Sequence, residues 1–583
     1  MTTKLVGVAA ASGLSAGTAV LVKGVDVSHA GRKIEKAEVD AEIARFEGAV
    51  EAASRDLEQI QKDMAAKVGE AEAEIFGAQA MMVRDPQLAE TVQENIRTEL
   101  VSAERAVLLA AEAQAKIFES MEDEYFAARA ADMRDVGTRL VKCLLGVSDS
   151  GLPRNLEEGS IIVARDLAPS DTAAMDIHKV SAMVLDKGGK TSHVAILARS
   201  LGIPAVVGLN DATTHIQAGD TLLVDGDAGE VTVNPTDDVY NAFKVRLEAQ
   251  ARKKRQLSLL RELPSVTKDG RKVELAANIG GEDEVQMVID AGAEGVGLFR
   301  TEFMFIQVDQ MLTEEEQFQI YKKVLSGLAP RPVVIRTLDA GSDKELPYLN
   351  MPKEENPFLG LRAIRLCLQE KEKIFRPHLR ALLRASVYGK LRIMFPMIAS
   401  LQELREAKAE LEKAKAELLA EGIPVSEDLQ VGIMVEVPSA AVCADQLAAE
   451  CDFFSIGTND LVQYTMACDR GNAAISYLSD FFYPGVLRLI ARTIEEGHKK
   501  GIWVGMCGEM AGSPAAIPLL LGMGIDELSM ATGSVPQAKA IIRNLDMAKA
   551  KEVWERVKDM TSNTEIRAYL EGVAEELVRD IGK

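Results

Sequence analysis

One histidine of this chain stands where nucleophilic chemistry is possible. His193 closes the segment GGKTSH (188–193), which follows the apolar run VSAMVLD. Glycines let backbone amides approach an anion closely, and Thr-Ser suits the start of a helix, whose N-terminus attracts negative charge. The segment therefore predicts an imidazole aimed at a phosphoryl group, although a histidine that merely completes a helix cap remains an alternative. The other five lack such a setting and are expected to be surface or structural: His29, His178, His215, His378 and His498.

Apolar runs recur through the second half of the chain, with amphipathic segments of helix length between them. The runs are VELAANI (273–279), GVGLFR (295–300), PVVIRTLD (332–339), LRIMFPM (391–397), VGIMVEV (431–437), DFFSIG (452–457), IWVGMC (502–507) and DELSM (526–530). Eight strand–helix units predict a (β/α)8 barrel, in which function lies at the C-terminal ends of the strands. No Gly-rich dinucleotide fingerprint follows the first run.

Polar residues stand at or just beyond the ends of five of these runs. They are Arg300, Thr301, Glu302, Arg336, Asp339, Glu436, Asn459, Asp460, Cys507, Gly508 and Glu509. Any one of them has a purely structural interpretation, such as an ion pair or a helix cap. Together they favour a single pocket at the mouth of the predicted barrel.

The basic residues of this predicted pocket suit an anionic substrate. The guanidinium fork of arginine binds both phosphate and carboxylate through two parallel hydrogen bonds. The leading candidates are Arg300, Arg336 and Arg470, with Arg362 and Lys344 behind them. A small molecule that carries both anionic groups would satisfy such a set.

Two carboxylates and one thiol complete the predicted pocket. Glu436 and Asp460 offer hard oxygen ligands for an octahedral Mg2+, which would neutralise charge as a phosphoryl group leaves. Cys507 lies beside Glu509 in GMCGEM, and a thiol of near-neutral pKa there could protonate an enolate. A free cysteine is also commonly a small buried hydrophobic residue, so both interpretations of Cys507 stay open.

Composition limits the function classes. The formal charge of −22 argues against nucleic acid or an anionic membrane as main partner, and an acidic surface would attract a basic protein. No apolar run approaches the roughly 20 residues that span a bilayer, and Gly and Ser interrupt the N-terminal run, so we expect neither membrane insertion nor a signal peptide. The six cysteines form no CxxC pair, which fits a reducing cytoplasm.

The chain of 583 residues is too long for one hydrophobic core. Changes in composition and hydrophobic periodicity along the chain predict several domains. Residues 1–24 and 147–235 have short strand patterns with glycine turns and form one discontinuous domain. An Ala- and Glu-rich segment of helical periodicity, 25–146, is inserted between them. One long charged helix, 236–262, links these to the predicted barrel at 263–583 and is a natural hinge.

These residues belong to stretches that resemble Enzyme I of the bacterial sugar phosphotransferase system, the phosphoenolpyruvate–protein phosphotransferases. The resemblance extends over essentially the whole chain. The stretches that carry it are GGKTSHVAILARSLGIPAV, GVGLFRTEFMF, TEEEQFQIYKKV, RTLDAGSDKELPY, KEENPFLGLRAIR, FPMI, DFFSIGTNDLVQYTMACDRGN and GMCGEMAG.

The resemblance implies a multidomain α/β fold and a complete reaction. It implies a swivelling phosphohistidine domain, an inserted all-α domain that docks the phosphocarrier HPr, and a C-terminal TIM barrel that forms a homodimer. Such a cytoplasmic enzyme moves the phosphoryl group of phosphoenolpyruvate to its own histidine and then to HPr, releasing pyruvate, as the first step of sugar uptake. A regulatory paralogue with a dedicated HPr-like carrier is the alternative.

The resemblance also assigns roles to residues. It makes His193 the phosphorylated residue and Cys507 the proton donor, and it assigns Mg2+ to Glu436 and Asp460. Contact with phosphoenolpyruvate is implied for Arg300, Arg336, Asn459, Asp460 and Arg470.

The chain departs from the family pattern at a few positions. Gly13 stands where proline is usual and Val194 where threonine follows the active histidine, and neither removes a catalytic group. Gln79 replaces a common histidine in the helical domain, which makes recognition of a standard HPr less certain. A pyruvate phosphate dikinase or phosphoenolpyruvate synthase is disfavoured, because 583 residues leave no room for its nucleotide-grasping domain.

Overall fold

The structure, a computed structural model, divides the chain into two compact units, Met1–Gln250 and Ala251–Lys583. It describes residues 2–22, 30–67, 70–119, 124–146, 156–167, 175–189, 192–306, 308, 310–341, 346–349 and 354–579. Among these residues, no helix is both long and apolar enough to cross a membrane.

Five helices form a separate hydrophobic core within the first unit. They are α1 (Val39–Lys67), α2 (Glu70–Val83), α3 (Pro86–Glu99), α4 (Ala103–Glu119) and α5 (Glu124–Leu144). Apolar residues at helical spacing, such as Phe46, Ala53 and Leu57 of α1, are buried against Val92 and Leu140 of neighbouring helices. The predicted helical block is therefore present, and two of its glutamates, Glu42 and Glu104, are buried and paired with Arg45.

The rest of the first unit is built on one eight-stranded sheet. Its strands are β1 (Thr3–Val6), β2 (Val8–Ala11), β3 (Leu14–Val22), β4 (Ser160–Ala164), β5 (Val180–Leu185), β6 (Ala205–Val207), β7 (Thr221–Asp225) and β8 (Glu230–Val233). The order is β1-β8-β7-β3-β4-β5-β6-β2. Since β3 and β4 pair in parallel, the helical block that separates them in sequence is an insertion into this sheet domain. Two short helices accompany the sheet, α6 (His193–Leu201) and α7 (Ala212–His215).

The long charged helix predicted after the sheet is α8 (Asp237–Leu259), and its first half is held to the sheet domain. Arg246 Nη2 lies 2.6 Å from Asp225 Oδ2, and the Leu14 amide donates to Gln250 Oε1 over 3.1 Å. Phe243 is buried beside them. These contacts hold α8 to the sheet domain as far as Gln250.

The second unit contains the predicted barrel. Its closed sheet is formed by the parallel strands β9 (Glu274–Ile279), β10 (Gly295–Arg300), β11 (Pro332–Arg336), β12 (Lys390–Phe395), β13 (Gln430–Val435), β14 (Phe453–Ile456), β15 (Trp503–Met506) and β16 (Glu527–Met530). Each strand begins within one residue of its predicted start. The apolar runs are thus the strands of the barrel. They are apolar throughout because parallel strands are buried on both faces.

Helices surround these strands, and several carry the polar residues into place. They are α9 (Val285–Asp290), α10 (Glu302–Ile306), α11 (Glu314–Leu328), α12 (Ile364–Gln369), α13 (Arg376–Ala385), α14 (Leu401–Ala420), α15 (Pro438–Val442), α16 (Ala444–Leu447), α17 (Thr458–Met466), α18 (Pro484–Lys499), α19 (Ala516–Met523), α20 (Val535–Asn544), α21 (Met547–Val557) and α22 (Asn563–Val578). Arginines of α13 pair with glutamates of α11 and α14, as Arg380 does with Glu314 and Glu417. This layer fixes the helices that support the strand ends.

Candidate active site

A cavity of about 770 Å³ opens at the C-terminal ends of the barrel strands. The leading barrel candidates for substrate binding, metal binding and proton transfer all line it. These are Arg300, Arg336, Glu436, Asn459, Asp460, Arg470 and Cys507. Lys344, a weaker candidate, lies outside the described residues. The strand ends therefore bring together residues that are far apart in sequence.

Arg336, at the end of β11, is a buried cation held by two carboxylates. Its Nη2 lies 2.6 Å from Glu302 Oε1 and 3.0 Å from Asp339 Oδ2, while Nη1 approaches Met434 Sδ at 3.5 Å. Burial disfavours its charge, but Asp339 and Glu302 outweigh burial and raise the pKa of Arg336. The guanidinium is consequently charged and oriented before any substrate binds.

Arg362 lies beneath the cavity and supports its acidic residues. Its side chain is fully buried, with Nη2 2.9 Å from Asp339 Oδ1 and Nη1 3.4 Å from Asp460 Oδ1. Nη1 also lies 3.3 Å from the hydroxyl of Tyr464. The sequence offered Arg362 as a substrate-binding candidate behind Arg300, Arg336 and Arg470. Within the described part of the chain it holds carboxylates and does not line the cavity.

Glu436 and Asp460 suit a divalent cation. Glu436 is 1% exposed, and its Oε1 accepts a 2.6 Å hydrogen bond from the Met397 amide. Burial, and next the negative charges of Asp460 and Asp339, raise the pKa of Glu436 to about 8. A cation would relieve this repulsion, and oxygen donors are what Mg2+ prefers.

The protein supplies only part of a coordination sphere there. The described residues hold no group of three or more His, Cys, Asp or Glu side chains arranged as a metal site. Mg2+ typically takes one or two carboxylates and fills its other positions with water and substrate oxygens. Glu436 and Asp460 fit that pattern of two protein carboxylates. They do not match a metal that takes all its ligands from protein side chains.

Asn459 and Glu509 tie two strand-end loops together. Asn459 Nδ2 donates to Glu509 Oε1 over 3.3 Å, and the Glu509 amide donates to Asn459 Oδ1 over 3.2 Å. Arg470 enters from beyond α17, with its guanidinium 5.5 Å from the Phe358 ring. Its backbone is held by Gln463, whose Oε1 accepts from the Arg470 amide over 3.0 Å. The mouth of the cavity thus has cross-linked walls.

Cys507 follows β15 and is almost fully buried. Its amide donates to the Ile456 carbonyl over 3.1 Å, and its own carbonyl accepts from Asn278 Nδ2 over 3.0 Å. Burial raises the pKa of the Cys507 thiol to about 12, so the near-neutral value expected from the sequence was wrong. The physical reason is desolvation by residues of earlier strands that cluster with Cys507, such as Leu298 and Met434, and the local sequence does not reveal it. The thiol is protonated at neutral pH, the state that an acid requires.

The histidine segment begins a helix, as predicted. α6 starts at His193, and Ser192 is its N-cap, with Oγ accepting from the Ala195 amide over 3.4 Å. Gly188 has φ +104°, which favours glycine, and a Cβ there would meet Ser192 Oγ at 3.2 Å. Lys190, Thr191 and the side chain of His193 lie outside the described residues. The backbone therefore places residue 193 in the first turn.

The remaining histidines have other environments. His178 and His215 are exposed, and His498 Nε2 lies 2.7 Å from Asp526 Oδ2. His378 is fully buried between Tyr321 and Gln317, and burial lowers its pKa to about 3. It is a neutral packing residue. His29 lies outside the described residues.

Sequence reasoning missed Asn278. Asn278 lines the cavity, and the available signal was a polar residue inside the apolar run VELAANI. The stretch GAQAMM around Gln79 was expected to help form the carrier-docking face; Met81 of this stretch is exposed, but Gln79 itself is 1% exposed and donates to Asp135 Oδ2 over 3.2 Å. Its difference from the family histidine therefore lies inside the helical block.

Three family models match successive parts of the chain. They describe a PEP-utilising enzyme, N-terminal, over residues 6–129, a mobile domain over 156–229, and a PEP-binding domain over 254–547. Proteins called phosphoenolpyruvate-protein phosphotransferase are similar over almost the full length. That of Staphylococcus carnosus (strain TM300) is 48% identical over 97% of this chain and 98% of its own. That of Bacillus subtilis (strain 168) is 48% identical over 97% of this chain and 99% of its own. That of Enterococcus faecalis (strain ATCC 700802 / V583) is 46% identical over 98% of this chain and 99% of its own.

Proposed function

Because this chain belongs to the family of phosphoenolpyruvate-protein phosphotransferases, we propose that it phosphorylates its own His193 from phosphoenolpyruvate and then phosphorylates HPr. The observation that carries this proposal is the cavity at the barrel mouth. Cationic, acidic and thiol groups of the required kinds converge there from separate strand ends.

Substrate binding is assigned to the arginines. Phosphoenolpyruvate carries a phosphate and a carboxylate, and guanidinium groups bind both with paired hydrogen bonds. Arg300, Arg336 and Arg470 would bind these groups, with Asn459 as a further donor. Arg336 is already fixed by Glu302 and Asp339, so little ordering remains for binding.

Glu436 and Asp460 would hold Mg2+ together with substrate oxygens. When bound, the ion would neutralise charge that develops on the departing phosphoryl group. Arg362 keeps Asp460 in place from below, and the Met397 amide does the same for Glu436. The two carboxylates thus reach the cavity in a fixed arrangement.

The transfer has a simple balance. The bond between phosphorus and the enol oxygen breaks, a bond from phosphorus to an imidazole nitrogen of His193 forms, and enolpyruvate remains. Cys507 then gives its proton to C3, which yields pyruvate and a thiolate. A thiol that burial keeps protonated is suited to that step.

The remaining assignments follow from family membership. We extend the proposal to a cytoplasmic homodimer that starts a sugar phosphotransferase system, with the helical block (α1–α5) docking the carrier. His193 must serve the barrel cavity and the carrier in turn, since both need the same imidazole. Movement about the end of α8 beyond Gln250 would allow this alternation.

The test is to incubate the protein with Mg2+ and phosphoenolpyruvate labelled in its phosphate, and then to add purified HPr. The protein should acquire an acid-labile, alkali-stable label that passes to HPr. A fragment of residues 1–250 should exchange label with phosphorylated HPr but accept none from phosphoenolpyruvate. Direct labelling of that fragment by phosphoenolpyruvate would contradict the assignment of substrate binding to the barrel.

A further inference from the structure

Polar side chains continue inside the barrel below Cys507. The Asn278 amide that donates to the Cys507 carbonyl over 3.0 Å accepts, through Oδ1, a 2.6 Å hydrogen bond from Ser529 Oγ. Burial raises the pKa of Cys507, and the hydroxyl of Ser455, on the neighbouring strand, opposes this with a smaller effect. We call Asn278, Ser455, Ser529 and Glu527 the polar column.

Glu527 forms the lower end of this column. It is 1% exposed, and its Oε2 lies 3.4 Å from Arg392 Nη1. Glu527 pairs in register with Glu274 of β9, whose Oε1 lies 2.9 Å from the same Arg392 nitrogen. The Glu274 side chain is 29% exposed, so the column ends where solvent begins.

Glycines leave space between Glu527 and the serines. A Cβ at Gly297 would lie 2.4 Å from Glu527 Oε1 and 2.6 Å from Ser529 Oγ, so those two oxygens are near neighbours. Gly505 stands in register between Ser455 and Glu527, and a Cβ there would lie 3.0 Å from Glu527 Oε1. A polar path therefore crosses the barrel interior without a bulky apolar side chain at these positions.

Two oxygens of the column lack hydrogen bonds that their burial would demand. No donor from the described part of the chain reaches Glu527 Oε1, and Ser455 Oγ has no well-formed partner there. Buried polar atoms in proteins are satisfied by protein groups or by ordered water, and buried waters bind where several polar atoms converge. The side chains of the polar column are therefore of the kinds that bind water and pass protons between them.

The reaction creates a need for such a path. Each pyruvate formed consumes the proton of Cys507, and burial makes the resulting thiolate a strong base that must regain a proton. Burial and the adjacent Glu274 raise the pKa of Glu527 well above its ordinary value, which favours the protonated carboxyl. A proton source and a proton acceptor thus lie at opposite ends of the column.

We propose that Glu527 returns a proton to the Cys507 thiolate through the hydroxyls of Ser455 and Ser529. The proposal rests on the proposed function, in which Cys507 protonates enolpyruvate. An O–H bond of the Glu527 carboxyl breaks, one proton passes along the hydroxyls and intervening water, and an S–H bond forms. The Glu527 carboxylate, next to Arg392, then takes a proton from water at the Glu274 end. No electron is transferred.

The test separates carbon exchange from proton exchange. The full-length protein is incubated in D2O with Mg2+, phosphoenolpyruvate and carbon-labelled pyruvate, without a carrier. Carbon label moves between pyruvate and phosphoenolpyruvate as His193 is phosphorylated and dephosphorylated. This carbon exchange needs no solvent proton, because the same proton can move back and forth between Cys507 and C3. Deuterium enters the methyl group only when the Cys507 proton exchanges with solvent.

Glu527→Gln should preserve carbon exchange within about twofold but lower deuterium entry per carbon exchanged by at least about tenfold, because the amide cannot supply a proton. Ser529→Ala should show the same separation, and it keeps the test valid if Glu527→Gln fails to fold. Ser386→Ala is the matched control. That serine is equally buried, but its hydroxyl donates to the Leu383 carbonyl over 2.6 Å, outside the barrel interior.

The outcomes are distinct. Deuterium entry that keeps pace with carbon exchange in Glu527→Gln and Ser529→Ala overturns the proposal. A parallel loss of both signals overturns it too, because it would show a structural role alone. Absence of carbon exchange in the parent protein would instead contradict the proposed function itself.

Discussion

The histidine turn (188–193) and the barrel cavity are supported in different ways. The turn is a single stretch of chain, and its described residues include Gly188 in the left-handed region, a hydrogen bond from the Ser192 amide to the Gly189 carbonyl and an N-cap bond from the Ala195 amide to Ser192 Oγ. The cavity takes its residues from separate strand ends, and buried ion pairs link them, as in the contacts of Arg362 with Asp339 and Asp460. The described contacts of the turn are local, whereas those of the cavity form a network across strands.

The difference has a physical basis in what each site does under the proposed function. A histidine that serves two partners in turn must remain accessible, so its support comes from the backbone and a helix end. A cavity that strips water from an anionic substrate needs charges that are already oriented in a low-dielectric setting. Substitutions at the turn should therefore abolish chemistry with little cost in stability, and those in the network should affect both.

The largest effect is expected from His193→Ala. This variant should lose all labelling by phosphoenolpyruvate, because no other histidine that the structure describes begins a helix after a glycine turn. Thermal unfolding of the full chain should be almost unchanged. His215→Ala, at an exposed position of the same unit, is the control and should be labelled normally. Normal labelling of His193→Ala would remove this residue from the mechanism.

Glu436→Ala should come next. Turnover with Mg2+ should fall at least about a hundredfold, because a bound metal supplies several kcal/mol of charge stabilisation. Binding of the metal–phosphoenolpyruvate complex should weaken, and a chelator should abolish turnover of the parent protein. The exposed Glu412→Ala provides a control. Full activity in chelator would disprove the metal role.

Cys507→Ala should slow pyruvate formation by about a hundredfold or more, the usual contribution of a positioned acid. Phosphoryl exchange between phosphorylated HPr and His193 should be unaffected, since it needs no proton at C3. Rapid-quench measurement of pyruvate separates the two steps. Near-normal pyruvate formation would show that Cys507 is only a buried hydrophobic residue.

Arg362→Met should destabilise the barrel. Removing Arg362 takes one buried cation away from Asp339 and Asp460, which keep Arg336 and Arg470 as partners, and it lowers the free energy of unfolding by about 3 kcal/mol. Trp503 and Trp554, the two tryptophans of the chain, both lie in the second unit, so tryptophan fluorescence in urea follows the barrel alone. Exposed Arg405→Ala should cost no more than about 1 kcal/mol. Equal effects of the two variants would contradict the buried network.

The smallest effect is expected from Ser192→Ala. Loss of an N-cap serine costs about 1 kcal/mol, so amides of α6 should exchange with solvent about fivefold faster. Ser192→Thr keeps a capping hydroxyl and should retain most of the protection. Hydrogen exchange resolved along residues 193–201 measures both. An unchanged rate would mean that tertiary packing, rather than the cap, holds this helix.

Much of the architecture was predictable because its signals are local. Apolar runs such as GVGLFR and VGIMVEV mark buried parallel strands by composition alone, and β10 (Gly295–Arg300) has the predicted bounds. The turn before His193 is likewise marked by its glycines and by Ser192 at the cap. The polar residues at strand ends followed once a barrel was expected, because that fold gathers strand ends on one face.

Only the tertiary structure decided the environments of individual groups. Arg362, expected as a weaker substrate contact, is buried and pairs with Asp460. Gln79 is buried within the helical block. Desolvation raises the pKa of Cys507 to about 12 instead of a near-neutral value. The link from Cys507 to Glu527 likewise joins neighbouring strands. The burial and the charge pairing of a side chain depend on neighbours that are distant in sequence, so both are established only when the barrel closes. Hydrophobic periodicity and helix capping, in contrast, depend on a few consecutive residues and can be recognised in the sequence.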